Sequence, residues 1–151
     1  SPIAPNQLLE QIAQAYQPIA SQQHVDLRLE LDQTLAAIQV DEGRMLQVLK
    51  NLMENALRHT PAGGTVTLAS KVGEQVELSV TDTGDGVAAD DLPLIFERFY
   101  QADKARTGSK GKMGLGLAIC KALVELQGAS IRAESAGVGQ GTKLTVTIQK
   151  A

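Results

Sequence analysis

At 151 residues the chain has the length of one domain, enough to bury roughly 70% of the surface it exposes unfolded. A net charge of −3 argues against nucleic acid or an anionic membrane as a partner held by bulk charge, and the lack of tryptophan, with only Tyr16, Phe96, Phe99 and Tyr100 aromatic, argues against a base-stacking platform. The lone cysteine, Cys120, permits no internal disulfide and sits in an apolar pattern, which suits a core thiol in a reducing compartment.

Asn6 as a cap, followed by Leu8, Leu9, Ile12, Ala15, Tyr16 and Ile19, predicts an amphipathic helix over 6–20, kinked or ended by Pro18. Val25, Leu27, Leu29 and Leu31 alternate with charged residues as a half-buried strand does. A short strand near Ala37–Val40 leads into the run Asp41–Thr60. There Asp41 is a good N-cap, and Met45, Val48, Leu49, Leu52, Met53 and Ala56 make one apolar helical face. Beside it Asn51, Asn55, Arg58 and His59 are spaced i, i+4, i+7 and i+8, which a helix gathers into a polar stripe. Such a stripe suits a metal and phosphates, or simply a helix edge facing water.

Pro61 and Gly63-Gly64 end this helix. Two alternating strands follow, Thr65–Val72 and Gln75–Thr81, joined at Gly73-Glu74. The stretch from Asp82 to Lys112 is long and irregular, with one apolar cluster at Leu92–Tyr100 that has room for a helical turn after Pro93. A connection of that length inside a compact domain points to function. Its second half carries Lys104, Arg106, Lys110 and Lys112 against Asp103 alone, as a mobile lid facing phosphates would. A helix over Leu115–Leu126, with Ile119, Ala122, Leu123 and Leu126 inward, closes at Gly128. Strands Ser130–Glu134 and Lys143–Ile148, separated by GVGQG, end the pattern. Helices stacked on one face of a mixed sheet are expected. No segment resembles a signal peptide or a membrane span.

Common phosphate and metal motifs are missing. Gly111-Lys112 is followed by Met113, and Arg106 stands where a P-loop's first glycine belongs. Gly84, Gly86 and Ala89 spell the dinucleotide fingerprint, but Val87–Asp91 opens no long helix. One cysteine and the distant His24 and His59 give no zinc spacing, and neither histidine has a nucleophile suggested by the sequence. What remains is Asp82-Thr83-Gly84-Asp85-Gly86 at a strand end, where a carboxylate can accept a hydrogen bond from an exocyclic amine and glycines let backbone approach a flat ring. Gly114-Leu115-Gly116 opens a helix whose free N–H groups favour phosphate.

In this order the pieces resemble the catalytic, ATP-binding domain of sensor histidine kinases, of the Bergerat-fold superfamily that includes DNA gyrase. QVLKNLMENALRHT is similar to the N box, TDTGDGV to the first glycine box, and IFERFY to the F box; GKMGLGLAI and GVGQGTKL are similar to the second and third glycine boxes. The resemblance covers nearly the whole chain. It implies an α/β (α+β) two-layer sandwich with a mixed five-stranded sheet, three main helices on one face, and a lid at about 84–113.

The implied cofactors are ATP and Mg²⁺, with Asn55 coordinating the metal beside Asn51. Arg58 would reach the phosphates and His59 line the nucleotide pocket. Asp82 would recognise the adenine amino group, Gly84 and Gly86 shape its pocket, and Thr142 approach it through water. Tyr100 of the F box, Arg106, Lys110 and Lys112 of the lid, and Gly114, Leu115, Gly116 and Leu117 of the second glycine box complete the nucleotide-binding set. Mg²⁺ keeps several waters and phosphate oxygens, so one protein carboxamide is reasonable.

Three departures stand out. Lys112 replaces a glycine of the second box, and Gln101 follows the F box where arginine is common. Asn51 occupies the position of the general-base glutamate in the superfamily's ATPases, which disfavours hydrolysis and favours transfer. No histidine here resembles the phosphoacceptor, since His24 is followed by Val25 and His59 belongs to the N box. The resemblance therefore implies a monomeric, cytoplasmic module cut from a longer kinase, whose membrane anchoring stays open. Its partners would be a histidine-bearing dimerisation domain and, downstream, a response regulator. The alternatives are a nucleotide-binding module that transfers nothing, and a self-sufficient gyrase-type ATPase.

Overall fold

The structure is a computed structural model that describes residues 2–97 and 116–151. Its elements run α1 (Pro5–Gln22), β1 (Asp26–Glu30), α2 (Glu42–His59), β2 (Thr65–Val72), β3 (Gln75–Asp82), a 3₁₀ turn at Leu92–Leu94, α3 (Gly116–Leu126), β4 (Ser130–Glu134) and β5 (Thr142–Gln149). The five strands form one mixed sheet in the order β1-β2-β3-β5-β4. Only β1 and β2 pair in parallel, because α2 lies between them as a crossover; the other pairs are antiparallel. The expected architecture of helices over one face of a mixed five-stranded sheet is the one found.

Alternation decides which face is covered. Val66 and Leu68 of β2, Val76, Leu78 and Val80 of β3, and Leu144, Val146 and Ile148 of β5 are buried against the helices. α2 lies at the centre, touching α1 and α3, and buries Met45, Val48, Leu49, Leu52, Met53, Ala56 and Leu57. Each such fully buried leucine contributes about 1.5–3 kcal/mol of transfer free energy. The helix starts as expected: Asp41 accepts from the Arg44 N–H at 3.0 Å.

Several expectations need correction. Asn6 is not the cap of α1; the helix begins one residue earlier, with Pro5 preset for its first turn. The Asn6 side chain instead ties the helix to the sheet, donating to the Asp32 carbonyl at 2.8 Å and accepting from Ser70 Oγ at 2.6 Å. Pro18 does not end the helix, which continues to Gln22. Both Pro18 and Gln14, whose carbonyl the proline leaves without its N–H partner, are exposed, so water can satisfy that group. At Ala37–Val40 no strand forms; Ile38 alone makes bridges, to Ile3 and Lys150, with its side chain fully buried.

The inward face of α3 is also different. Cys120 and Val124 are buried, with Leu117 and Leu123 partly so, while Ala122 is exposed, as are Ile119 at 41% and Leu126 at 68%. The helix is apolar nearly all round, so periodicity could not choose the face. It ends as expected at Gly128, with φ +75.

Candidate functional site

β3 carries the chain to Asp82, whose partner across the ladder is Thr142. Asp82 is buried at 6% exposure, and Oδ1 accepts from the Gly84 N–H at 2.9 Å. Burial pushes its carboxyl above the ordinary value of 3.8, against the opposing effects of the Gly84 N–H, nearby His59 and the Thr142 N–H. An acceptor this dry is strong and directional, and its cost is carried by the fold.

The following loop is fastened by main chain. The Asp85 N–H donates to the His59 carbonyl at 3.1 Å, the Gly139 N–H to the Asp85 carbonyl at 2.6 Å, and the Gly141 N–H to the Gly84 carbonyl at 3.2 Å. The glycines are required by this closeness. A Cβ on Gly84 would collide with the His59 carbonyl oxygen. One on Gly86, at φ +67, would strike the Gly137 carbonyl, and one on Gly141, at φ +77, the Asp82 carbonyl. The end of α2, the loop after β3 and the loop before β5 thus meet backbone to backbone.

His59 and Asp85 add a side-chain link, Nδ1 to Oδ2 at 3.0 Å, with the two side chains 41% and 54% exposed. Ser135 braces the other side. Its Oγ accepts from the Val87 N–H at 3.0 Å and donates to the Gly141 carbonyl at 2.7 Å. Neither Asp85 nor Ser135 is in the residue set read from the sequence; the alternating glycines at 137, 139 and 141 were the one local signal of a tight turn there.

Along α2 the stripe exists as the spacing requires. Asn51, Asn55, Arg58 and His59 are all half-buried and lie beside the core face. Among the described residues nothing hydrogen-bonds the Asn55 carboxamide or pairs with Arg58, whereas Asn51 reaches the Cys120 thiol of α3. That thiol is pushed up to about 12 by burial, against the Asn51 contact, and donates weakly to the Val48 carbonyl at 3.6 Å. It is core, not a nucleophile. Gly116 opens α3 with open space around it, and Leu117 packs on the core. Tyr100, Gln101, Arg106, Lys110, Lys112, Gly114 and Leu115 lie outside the described residues, as does most of the expected lid. Two grooves of 390 and 360 Å³ lie on or beside the sheet's helix-free face and include no residue of α2, so they are separate from the stripe.

Residues 40–151 match the family model described as "Histidine kinase-, DNA gyrase B-, and HSP90-like ATPase". The chain belongs to this family. The curated proteins it is similar to include sensor kinases. It is 41% identical over 133 residues to the sensor histidine kinase WalK of Bacillus subtilis (strain 168), covering 86% of this chain and 22% of that protein. It is 38% identical over 137 residues to the alginate biosynthesis sensor protein KinB of Pseudomonas aeruginosa, covering 90% and 22%. The chain therefore spans about a fifth of the length of these curated relatives.

Among solved structures, full-length ShkA in complex with AMPPNP superposes with a TM-score of 0.85 at 34% identity, over 100% of this chain and 31% of that one. The catalytic domain of histidine kinase ThkA gives 0.84 at 25% identity, over 99% and 95%. The fold is thus the Bergerat fold of histidine kinase catalytic domains. Among the described residues no helix is long and apolar enough to cross a membrane.

Proposed function

We propose that residues 1–151 form one catalytic domain, with a lid at about 84–113, that binds Mg–ATP and donates the γ-phosphoryl group to a histidine on a separate dimerisation domain. From there the phosphoryl passes to an aspartate of a response regulator. One observation carries the reading: Asn55 and Arg58 stand half-buried and, among the described residues, without partners, on the stripe that ends at His59, which is bonded to the loop leaving Asp82. A carboxamide and a guanidinium thus lie on the helix whose end is fastened to the loop that follows a dry carboxylate. The ShkA complex with AMPPNP, at 34% identity, supports an adenine nucleotide as the occupant.

In this reading Asp82 accepts from the adenine amino group and Thr142 borders the same end. Arg58 binds phosphate oxygens, and Asn55 is the protein ligand of the metal. Among the described residues no three His, Cys, Asp or Glu side chains cluster, so a hard cation here would rely on Asn55, water and phosphate oxygens. Bound there, Mg²⁺ would neutralise charge on the β- and γ-phosphates. In the transfer, an acceptor imidazole nitrogen forms a bond to the γ-phosphorus as the bond to the β,γ-bridging oxygen breaks. ADP leaves with that electron pair, and the imidazole sheds a proton. Asn51, four residues before Asn55 and turned to Cys120, has no basic atom with which to activate water. Positioning and charge neutralisation then do the catalysis, with little hydrolysis.

Calorimetry with Mg–ATP, followed by transfer from labelled ATP to a cognate dimerisation domain, tests this. Saturable binding and acid-labile, base-stable label on the partner are expected, and Asn55→Ala should abolish the Mg-dependent part of the affinity with the fold retained. No binding heat, or an Asn55→Ala variant that binds like the parent, overturns the assignment. Phosphate release by the isolated chain at many turnovers per minute would replace it with an ATPase.

A further inference from the structure

The loop before β5 is held at Gly141 from several sides. The Gly141 N–H donates to the Gly84 carbonyl at 3.2 Å, the place of a Cβ is taken by the Asp82 carbonyl, and the Gly141 carbonyl accepts from Ser135 Oγ at 2.7 Å. Ser135 has a single hydroxyl proton, and the Gly137 carbonyl, at 3.3 Å, is the poorer acceptor for it. The same oxygen accepts from the Val87 N–H at 3.0 Å and the Gly137 N–H at 3.2 Å, so it ties the loop leaving Asp82 to the loop before β5. The carbonyl that Ser135 holds belongs to the peptide group whose N–H is that of Thr142. That peptide is trans, so its carbonyl and its N–H point opposite ways. Thr142 is the ladder partner of Asp82, and its N–H is one of the groups that favour the ionised Asp82 carboxyl.

Resting on the nucleotide-binding reading above, we propose that Ser135 is a positioning residue for the adenine end of the site. By holding the Gly141 carbonyl, it turns the Thr142 N–H of the same peptide toward the Asp82 carboxyl and fixes how that acceptor meets the purine amine. The Gly84 N–H already holds Oδ1 at 2.9 Å, and a second donor of fixed direction leaves the carboxyl little freedom to rotate. A hydrogen bond accepted at a carbonyl also polarises its peptide, which makes the N–H a better donor. A serine that only closed a turn would need no acceptor beyond the Gly137 carbonyl beside it. The reach to Gly141, in the peptide that faces Asp82, is what gives Ser135 a further task.

Ser135→Ala removes the donor. It should weaken ADP binding by roughly two- to tenfold, the worth of one net hydrogen bond, and leave the binding of IDP, whose purine carries no amine, as in the parent. Ser135→Thr keeps the hydroxyl and should keep the parent's preference for ADP over IDP. Ser135→Cys, whose thiol is a weak donor, should fall between the two and carries the test if the alanine variant does not fold. Without nucleotide, the Asp82 side-chain carboxyl followed by carbon-13 NMR should titrate at higher pH in Ser135→Ala than in the parent, because it loses support from the Thr142 N–H while burial persists. Its titratable neighbours, His59 of α2 and Asp85 of the following loop, are the same in both. A loop that merely opened to water would instead let the midpoint fall toward the ordinary 3.8. An unchanged or lowered midpoint overturns the proposal, and so does an alanine variant that loses affinity for ADP and IDP alike or for neither. A parent that binds no ADP, or binds IDP equally well, overturns the nucleotide reading of Asp82 itself and the proposal with it.

Discussion

The two ends of the proposed nucleotide site are built on opposite plans. At the Asp82 end the chain is packed backbone to backbone: three glycines sit where a Cβ would strike a carbonyl, and the Asp82 side chain is dry and fixed by a main-chain donor. At the Asn55 end the proposed ligands are polar side chains on a helix face, half-buried and with no partner for Asn55 or Arg58 among the described residues. A flat, rigid purine suits a preformed wall, whereas a triphosphate with its cation needs groups that can adjust and exchange with water. Filling the glycine positions at the first end should therefore register in folding, and substitutions at the second in binding.

The largest effect should come from Gly84→Ala. Gly84 does not need a left-handed backbone; the His59 carbonyl forbids it a side chain. Because that neighbour is main chain at the end of α2, the variant should lose about 3 kcal/mol of stability in urea unfolding, at the upper end of overpacking costs. Gly128→Ala is the control: at φ +75 but in open space, it should cost only about 1 kcal/mol. If the two variants lose equally, the loop is less closely packed than described.

Asp82→Asn should come next, and its two effects point in opposite directions. Removing a charged acceptor should weaken ADP binding by about 10- to 100-fold, the worth of a hydrogen bond to an ionised group. Folding stability should rise. The folded carboxyl titrates above its ordinary 3.8, so its favourable contribution is complete below that value and is lost as pH climbs through the raised one. The variant's advantage over the parent should therefore grow from acid toward neutral pH and then level off. Denaturant midpoints at pH 4 and pH 7 would check this, and a variant less stable than the parent at pH 7 would show that the carboxylate is better solvated than its burial implies.

Much of this was legible in the sequence, for identifiable reasons. The 3.6-residue spacing of Met45 to Ala56 fixed both the core face of α2 and the stripe beside it, and alternation located the strands. Asp82 and the glycines after it were readable because a strand end with a carboxylate and no side-chain bulk is a local pattern. What was hidden depends on contacts between distant segments. Tyr16 and Glu54 are separated by 38 positions, His59 and Asp85 by 26, and Val87 and Ser135 by 48, and no window of periodicity reports such pairs. The face of α3 failed for a different reason. With leucine, isoleucine and alanine on several sides, the helix offers more than one apolar stripe, and packing of Cys120 and Val124 against α2 settled the choice.

The smallest effect should be Asp85→Ala, one residue from the position with the largest. Its carboxylate bonds His59 at 3.0 Å, but both side chains are about half exposed, where such a contact contributes about 0.2–1 kcal/mol. The loop's other fastenings at this residue, to the His59 carbonyl and from the Gly139 N–H, belong to the main chain and survive the substitution. Stability should fall by less than about 1 kcal/mol, read as a shift in the urea midpoint. ADP affinity should change about twofold at most, through the loosened imidazole. A loss as large as that of Gly84→Ala would mean that the side-chain contact, not the backbone one, holds this end of the proposed site, and the contrast between its two ends would then disappear.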